Sequence, residues 1–517
     1  MFKFKKIGTY ALWVIFVTAL VVQPTFALDK SVEIINARAT DLAKIGVNVD
    51  GTNVKVGQLE AGNPDKTHNK LPNTIQTQPD PPNIVSKHAT NVAGVIVSQD
   101  GSYQGVSPGA RLFSSSIAAS GTGDRDNNVV KAGDWLKNQN VKIINMSNGE
   151  RDGINGKSKE TKYADWLAYE KDIVFVKSAG NDGDFGSSTI TKPGDAFNTI
   201  TVGATDPDGI YNKVASFSSE GRTTDLRNKP DIVAPGAGIT TTTRPVSGFA
   251  SVNGTSYAAP HVAGVAALLT QFGTVTPRHS IDHKVIKAVL LNSASKDGGE
   301  KPGEIKVVRK DDNIWMPSAP GVDSLDDHMG AGQVNALAAF RQYKPDEALA
   351  GIQDKNLINI DPIGWDRERV QVGSQVDYKI NEELAIGTKL TATLIWDRHI
   401  ERVSCTTPGC QDYEDSFTAT TLSDLNLFLV DSTGTELHLF DSLGRASWSQ
   451  SPVDSVEHIY FTLPKSDFYT VRVENWSGQT EEFGFAVWSH PVPEPSTYFL
   501  FLTGFGGLLL MRRHRKN

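Results

Sequence analysis

Asn253-Gly-Thr-Ser-Tyr-Ala-Ala-Pro-His-Val-Ala-Gly-Val-Ala-Ala-Leu-Leu269 joins a short polar turn directly to an apolar helix of small residues. At the start of a helix the backbone N–H groups have no intrahelical partner, so Ser256 is expected where developing negative charge is stabilised. Pro260 fits because the first turn lacks those hydrogen bonds anyway. A Gly-Thr-Ser turn alone reads as an ordinary helix cap. The extension through Ala258 to Gly264 is far more specific.

A serine hydroxyl attacks only when a base takes its proton. His88-Ala-Thr-Asn-Val-Ala-Gly94 places a histidine at the head of a second small-residue helix. The base needs a carboxylate on its other nitrogen, and Glu60-Ala-Gly62 follows the apolar stretch Val54–Leu59. An oxyanion donor is also required. Asn181, in Ser178-Ala-Gly-Asn-Asp-Gly183 after the stretch Ile173–Lys177, offers a side-chain amide.

Further strand-like runs, Val141–Met146 and Thr199–Gly203, alternate with helical stretches at Asn127–Asn138 and Tyr163–Lys171. That alternation predicts an α/β domain, a mostly parallel sheet with helices on both faces, over residues 28–345. After a short helix ending near Tyr343 the texture changes. Lys389–Trp396, Leu425–Val430, His458–Leu463 and Tyr469–Val473 are strand-like with no long helix between them, which predicts an all-β sandwich or jelly-roll-like domain over 346–490.

The chain has 517 residues, 39% of them hydrophobic and 8% aromatic, enough to bury more than one core and inconsistent with a disordered chain. The net charge of −8 understates the acidity of the body, because both ends are basic, and it argues against a nucleic-acid partner. Residues 1–27 have the basic start, apolar run and Thr25-Phe-Ala27 ending of a secretory signal peptide. Residues 491–517 hold Pro493-Glu494-Pro495, an apolar stretch and a basic end. Two cysteines, Cys405 and Cys410, form a disulfide candidate in an exported chain.

With acid, histidine, asparagine and serine motifs in this order, residues 30–340 resemble the subtilisin-like serine proteases, or subtilases. Gly105–Ala110, Val141–Gly149 and Lys229–Gly236 extend the resemblance. It implies Ser256 as nucleophile, His88 as general base, Asn181 as oxyanion donor and Glu60 as the acid. Glu60 departs from the family's aspartate, with Asp65 as a rival acid and a non-catalytic binding module as the competing function.

The resemblance implies that an extended peptide binds between Gly121, Thr122 and Gly123 on one side and Ser147, Asn148 and Gly149 on the other. Thr191 would floor the pocket for the residue before the scissile bond, favouring medium-sized apolar side chains, and Lys192-Pro193 matches a bond that is often cis. No cofactor is required. Calcium is possible but unassigned, because the loop after His88 is shorter than the family's calcium-binding version. Folding is expected without an inhibitory N-terminal segment, or with help in trans.

The later part resembles the β-domain appended to some subtilases, and Asp397, Asp424, Asn426 and Asp431 are its candidate cation ligands. The tail resembles the PEP-CTERM sorting signal of Gram-negative bacteria. It implies export to the cell envelope or surface, membrane contact before processing, and an exosortase-type enzyme as partner.

Overall fold

The computed structural model describes residues 28–490 except 80–83, 119–121, 152, 187, 209–210, 245–247, 299–305, 349–351 and 353–354. The signal-peptide and sorting-tail expectations, and Gly121, lie outside these residues. Among the described residues no helix is long and apolar enough to cross a membrane.

Six parallel strands form the centre of the first domain: β1 (Lys55–Glu60), β2 (Arg111–Ser116), β3 (Ile143–Met146), β4 (Val174–Ser178), β5 (Ile200–Asp208) and β6 (Ile232–Pro235). Their spatial order is β6-β5-β4-β3-β1-β2. Side chains alternate between two apolar layers. Val56, Ile143, Val174 and Val176 enter one core, whereas Leu59, Ile144 and Phe175 enter the other. A strand buried on both faces therefore reads as a continuous apolar run.

Helices α2 (Lys87–Val97) and α5 (Thr255–Val275) pack on the first face; α3 (Arg125–Asn138) and α4 (Lys159–Lys171) pack on the second. The small residues of α5 follow from its central position. A Cβ on Gly264 would lie 2.5 Å from Val106 Cβ, so this position has no room for a side chain. Helix α1 (Leu28–Ile34) opens the described chain and docks on α5, where Ser31 Oγ lies 2.7 Å from His261 Nε2. The segment before β1 is thus part of the fold.

The chain reverses direction across the sheet at β1: β2 lies on one side of it and β3 on the other. The carboxyl ends of β1 and β3 flank this switch point, where α/β sheets open a crevice. Glu60 ends β1, and Ser147 follows β3.

The second domain is a sandwich of a five-stranded and a four-stranded sheet. Tyr378, Leu425 and Leu427 from one sheet meet Leu390, Phe461 and Phe485 from the other in a single core. The expected boundary at 345/346 falls between α7 (Ala336–Tyr343) and the strand Leu357–Ile360. The two domains nevertheless share apolar packing, since Trp365, Ile395, Val456 and Ala486 join the first domain's core over α6 (His283–Asn292). Arg402 reaches back to Asp134 with two bonds of 2.8 Å. Cys405 and Cys410 are joined as a disulfide.

Candidate active site

The switch point brings four of the expected residues together. Glu60 is fully buried, and its two carboxylate oxygens have separate partners. Oε2 accepts from His88 Nδ1 at 3.1 Å, while Oε1 accepts from the Ser147 backbone N–H at 3.0 Å. Glutamate therefore reaches the histidine while staying in register with Ser116 at the end of β1. Asp65 does not replace it; that carboxylate accepts from Thr67 and pairs with Arg244.

His88 is the second residue of α2, whose start is capped by Ser86 Oγ accepting from the Ala89 N–H. Its side chain is 38% exposed. Burial opposes the imidazolium, but the Glu60 carboxylate outweighs it, so His88 titrates above its usual range. With Nδ1–H donating to Glu60, Nε2 is the nitrogen left to accept a proton. Tyr257 packs 5.6 Å from the ring, between centroids, and its own phenol is pushed up to about 12 by burial and by Glu60.

Ser256 is the second residue of α5. Gly254 precedes the helix at φ 149, a conformation that disfavours other residues. The Ser256 hydroxyl donates to the Ser147 carbonyl at 3.2 Å. Ser147 Oγ donates in return to the Ser256 carbonyl at 2.9 Å. This is a resting arrangement, in which attack requires the hydroxyl to exchange a carbonyl acceptor for His88 Nε2.

Asn181 is oriented by Thr255. Its Oδ1 accepts from the Thr255 backbone N–H at 2.9 Å and from the Thr255 hydroxyl at 3.0 Å. With the carbonyl end held, the amide NH2 is the group offered to the cleft. That cleft, of about 450 Å³, is lined by His88, Ser147, Asn148, Gly149, Ser178, Gly180, Asn181, Thr191 and Ser256 among others.

The outer edge of the expected substrate site is different. Thr122 and Gly123 do not line the cleft. The backbone N–H and hydroxyl of Thr122 both donate to Asn128 Oδ1, at 2.9 and 2.8 Å, so this segment is bound up with the start of α3. Asn148 lies at the cleft wall, where Arg125 donates to its Oδ1 at 2.8 Å. Lys192-Pro193 is cis.

Beneath the cleft is a charge that the motif search passed over. Lys177 is fully buried in β4 and donates to the Ser178 carbonyl, to Ser178 Oγ at 3.2 Å and to Thr191 Oγ1 at 3.3 Å. Burial pulls this lysine down to about 7, while Glu160 opposes the fall. Glu160 is itself pushed up to about 7 by burial, against Arg125. A lysine closing the apolar run Ile173–Lys177 was the sequence signal available.

Two of the four candidate cation ligands of the second domain have separate partners. Asp397 bonds His283 and Lys284, whereas Asp431 bonds Thr433 and Lys465. Asp172, Asp282 and His283 lie close enough to share an ion. However, His283 faces Asp172 through Nδ1 and Asp397 through Nε2, so neither nitrogen is free for a metal.

A match to the subtilase family covers residues 35–332, and a match to the PEP-CTERM protein-sorting motif covers residues 491–516. Subtilisin E of Bacillus subtilis (strain 168) is 34% identical over 226 residues, covering 42% of this chain and 56% of that protein. Subtilisin of Bacillus pumilus is 34% identical over 252 residues, covering 47% of this chain and 86% of that one. The chain thus spans little more than half the length of several of the curated relatives it matches. Among solved structures, the self-cleaved protease domain of PatA aligns with a TM-score of 0.45 at 24% identity, covering 58% of this chain and 99% of that one.

Proposed function

Because the chain belongs to the subtilase family, we propose that it is an exported serine endopeptidase working through an acyl-enzyme at Ser256. The observation that carries this is the pair of hydrogen bonds that Glu60 accepts, from His88 Nδ1 and from the Ser147 N–H, with His88, Ser147, Ser256 and Asn181 lining one cleft.

A peptide lies along Ser147–Gly149 with its scissile carbonyl at Ser256. His88 Nε2 takes the hydroxyl proton as Oγ bonds the carbonyl carbon, and Glu60 stabilises the imidazolium that forms. Negative charge gathers on the carbonyl oxygen. The Asn181 amide NH2 and the Ser256 backbone N–H receive it, the Thr255 and Tyr257 N–H groups being engaged by Asn181 Oδ1 and the Gly254 carbonyl. His88 then hands its proton to the leaving amine, and water repeats the sequence to release the acyl group. The PEP-CTERM match supports export in a Gram-negative bacterium, with an exosortase-type enzyme processing the tail.

Fluorophosphonate labelling and casein hydrolysis, with Ser256→Ala alongside, test the proposal. Labelling and cleavage by wild type, both abolished in the variant, are expected. A folded wild type that neither labels nor cleaves would make the chain a binding protein on a protease fold.

A further inference from the structure

The cleft wall beside Ser256 is more polar than an apolar-specific pocket requires. Three of its residues, Gly149, Ser178 and Thr191, surround the Lys177 ammonium. A Cβ added to Gly149 would stand 2.9 Å from Nζ and 2.7 Å from Thr191 Oγ1. Lys177 therefore lies immediately behind the surface that a substrate side chain meets.

The hydrogen-bond directions decide what that surface offers. An ammonium has only donors, so both hydroxyls must turn lone pairs towards it. Thr191 Oγ1 then directs its proton to the Ala179 carbonyl at 3.2 Å. Ser178 Oγ accepts from Lys177, and its proton is the one left for the cleft that Ser178 lines. Below about pH 7, where Lys177 carries its charge, the pocket thus presents a donor polarised by a cation behind it. An apolar side chain seated there would leave that donor unpaired, whereas an acceptor would satisfy it.

Resting on the protease proposal, we infer that Lys177 and Ser178 make this enzyme select substrates whose residue before the scissile bond ends in a carbonyl or carboxylate oxygen, glutamine or glutamate, over apolar residues. Thr191 considered alone suggested the opposite preference. Lys177 acts through Ser178 and is a positioning residue. Asp182, also on the cleft lining, sets a negative rim that favours the neutral amide over the carboxylate.

The test is kcat/KM on peptide anilides differing only in that residue, glutamine against leucine, for wild type, Lys177→Met and Ser178→Ala. The ratio is internal to each sample, so partial unfolding lowers both rates and leaves it unchanged. A glutamine-to-leucine ratio above about ten for wild type, collapsing towards one in both variants, is expected. A smaller wild-type ratio, or one that survives both substitutions, overturns the inference. Failure to cleave any anilide together with failure of fluorophosphonate labelling would instead sink the protease proposal on which it rests.

Discussion

Replacing Glu60 by glutamine separates the geometry of this carboxylate from its chemistry. The side chain keeps its size and hydrogen-bonding reach, in a site with no exposure. What changes is that one end becomes a donor. The buried Ser147 N–H, which now donates to Oε1 at 3.0 Å, needs an acceptor and holds the amide carbonyl. The NH2 end is left facing His88 Nδ1, at a position where Oε2 now accepts at 3.1 Å. To avoid two opposed donors, the ring moves its proton to Nε2, the nitrogen that must be bare to accept the serine proton.

A histidine held in the wrong tautomer costs a triad protease about 10⁴-fold in kcat, or about 5.5 kcal/mol of barrier. Steady-state hydrolysis of a peptide anilide gives the measurement, with near-UV circular dichroism confirming the fold and KM expected to change little. Activity of Glu60→Gln within about tenfold of wild type would refute the reasoning. It would mean that Glu60 does not set the state of His88. Asp65→Asn, run alongside, is expected to stay within about twofold, because Asp65 is engaged by Thr67 and Arg244.

The acid limb of the kcat/KM profile is expected above the ordinary histidine value of about 6.5, because Glu60 raises His88 and only the neutral ring can act as base; in Glu60→Gln the limb should move to lower pH. Asn181→Ala is expected to lower kcat by about 10²–10³-fold with little change in KM, and an equal loss in KM would mean that Asn181 serves ground-state binding instead. His283, raised to about 9 by Asp397 and Asp172 against the cost of burial and the nearby Lys284, contributes stability that is complete below about 6.5 and lost as pH rises through about 9, on the order of 3 kcal/mol. Thermal melts at pH 7 and pH 10 should show a larger fall for wild type than for His283→Gln, and equal falls would exclude His283 as the cause.

Ser256, His88, Asn181 and Glu60, the candidate residues that share the cleft region, were legible along the chain because each sits in a short motif whose local conformation is a helix start or a strand end. Ser256 before the alanine run of α5, His88 at the head of α2 and Asn181 after β4 owe their positions to nearby residues. The parallel sheet was legible for a related reason: strands buried on both faces read as continuous apolar runs, and the helices between them force crossovers. The partner of the Thr122 N–H was not legible in the same way, because the direction of a backbone N–H depends on the folded loop, and Asn128, six residues on, accepts it.

What tertiary structure alone decided are the pairings between distant segments. The bond from Ser147 N–H to Glu60 Oε1 exists because β1 and β3 are neighbours at the switch point, although residues 60 and 147 are remote in the chain. The placement of Lys177 beside Thr191 and Gly149 likewise comes from two loops meeting the end of β4. Asp397 and Asp431 looked like ligands in sequence, and folding gave each a cationic partner. Amino-acid type and local spacing determine which groups the chain carries and the elements that present them. Which donor meets which acceptor is set by sheet order and domain packing, because hydrogen bonds act over about 3 Å and only the folded chain brings remote residues that close.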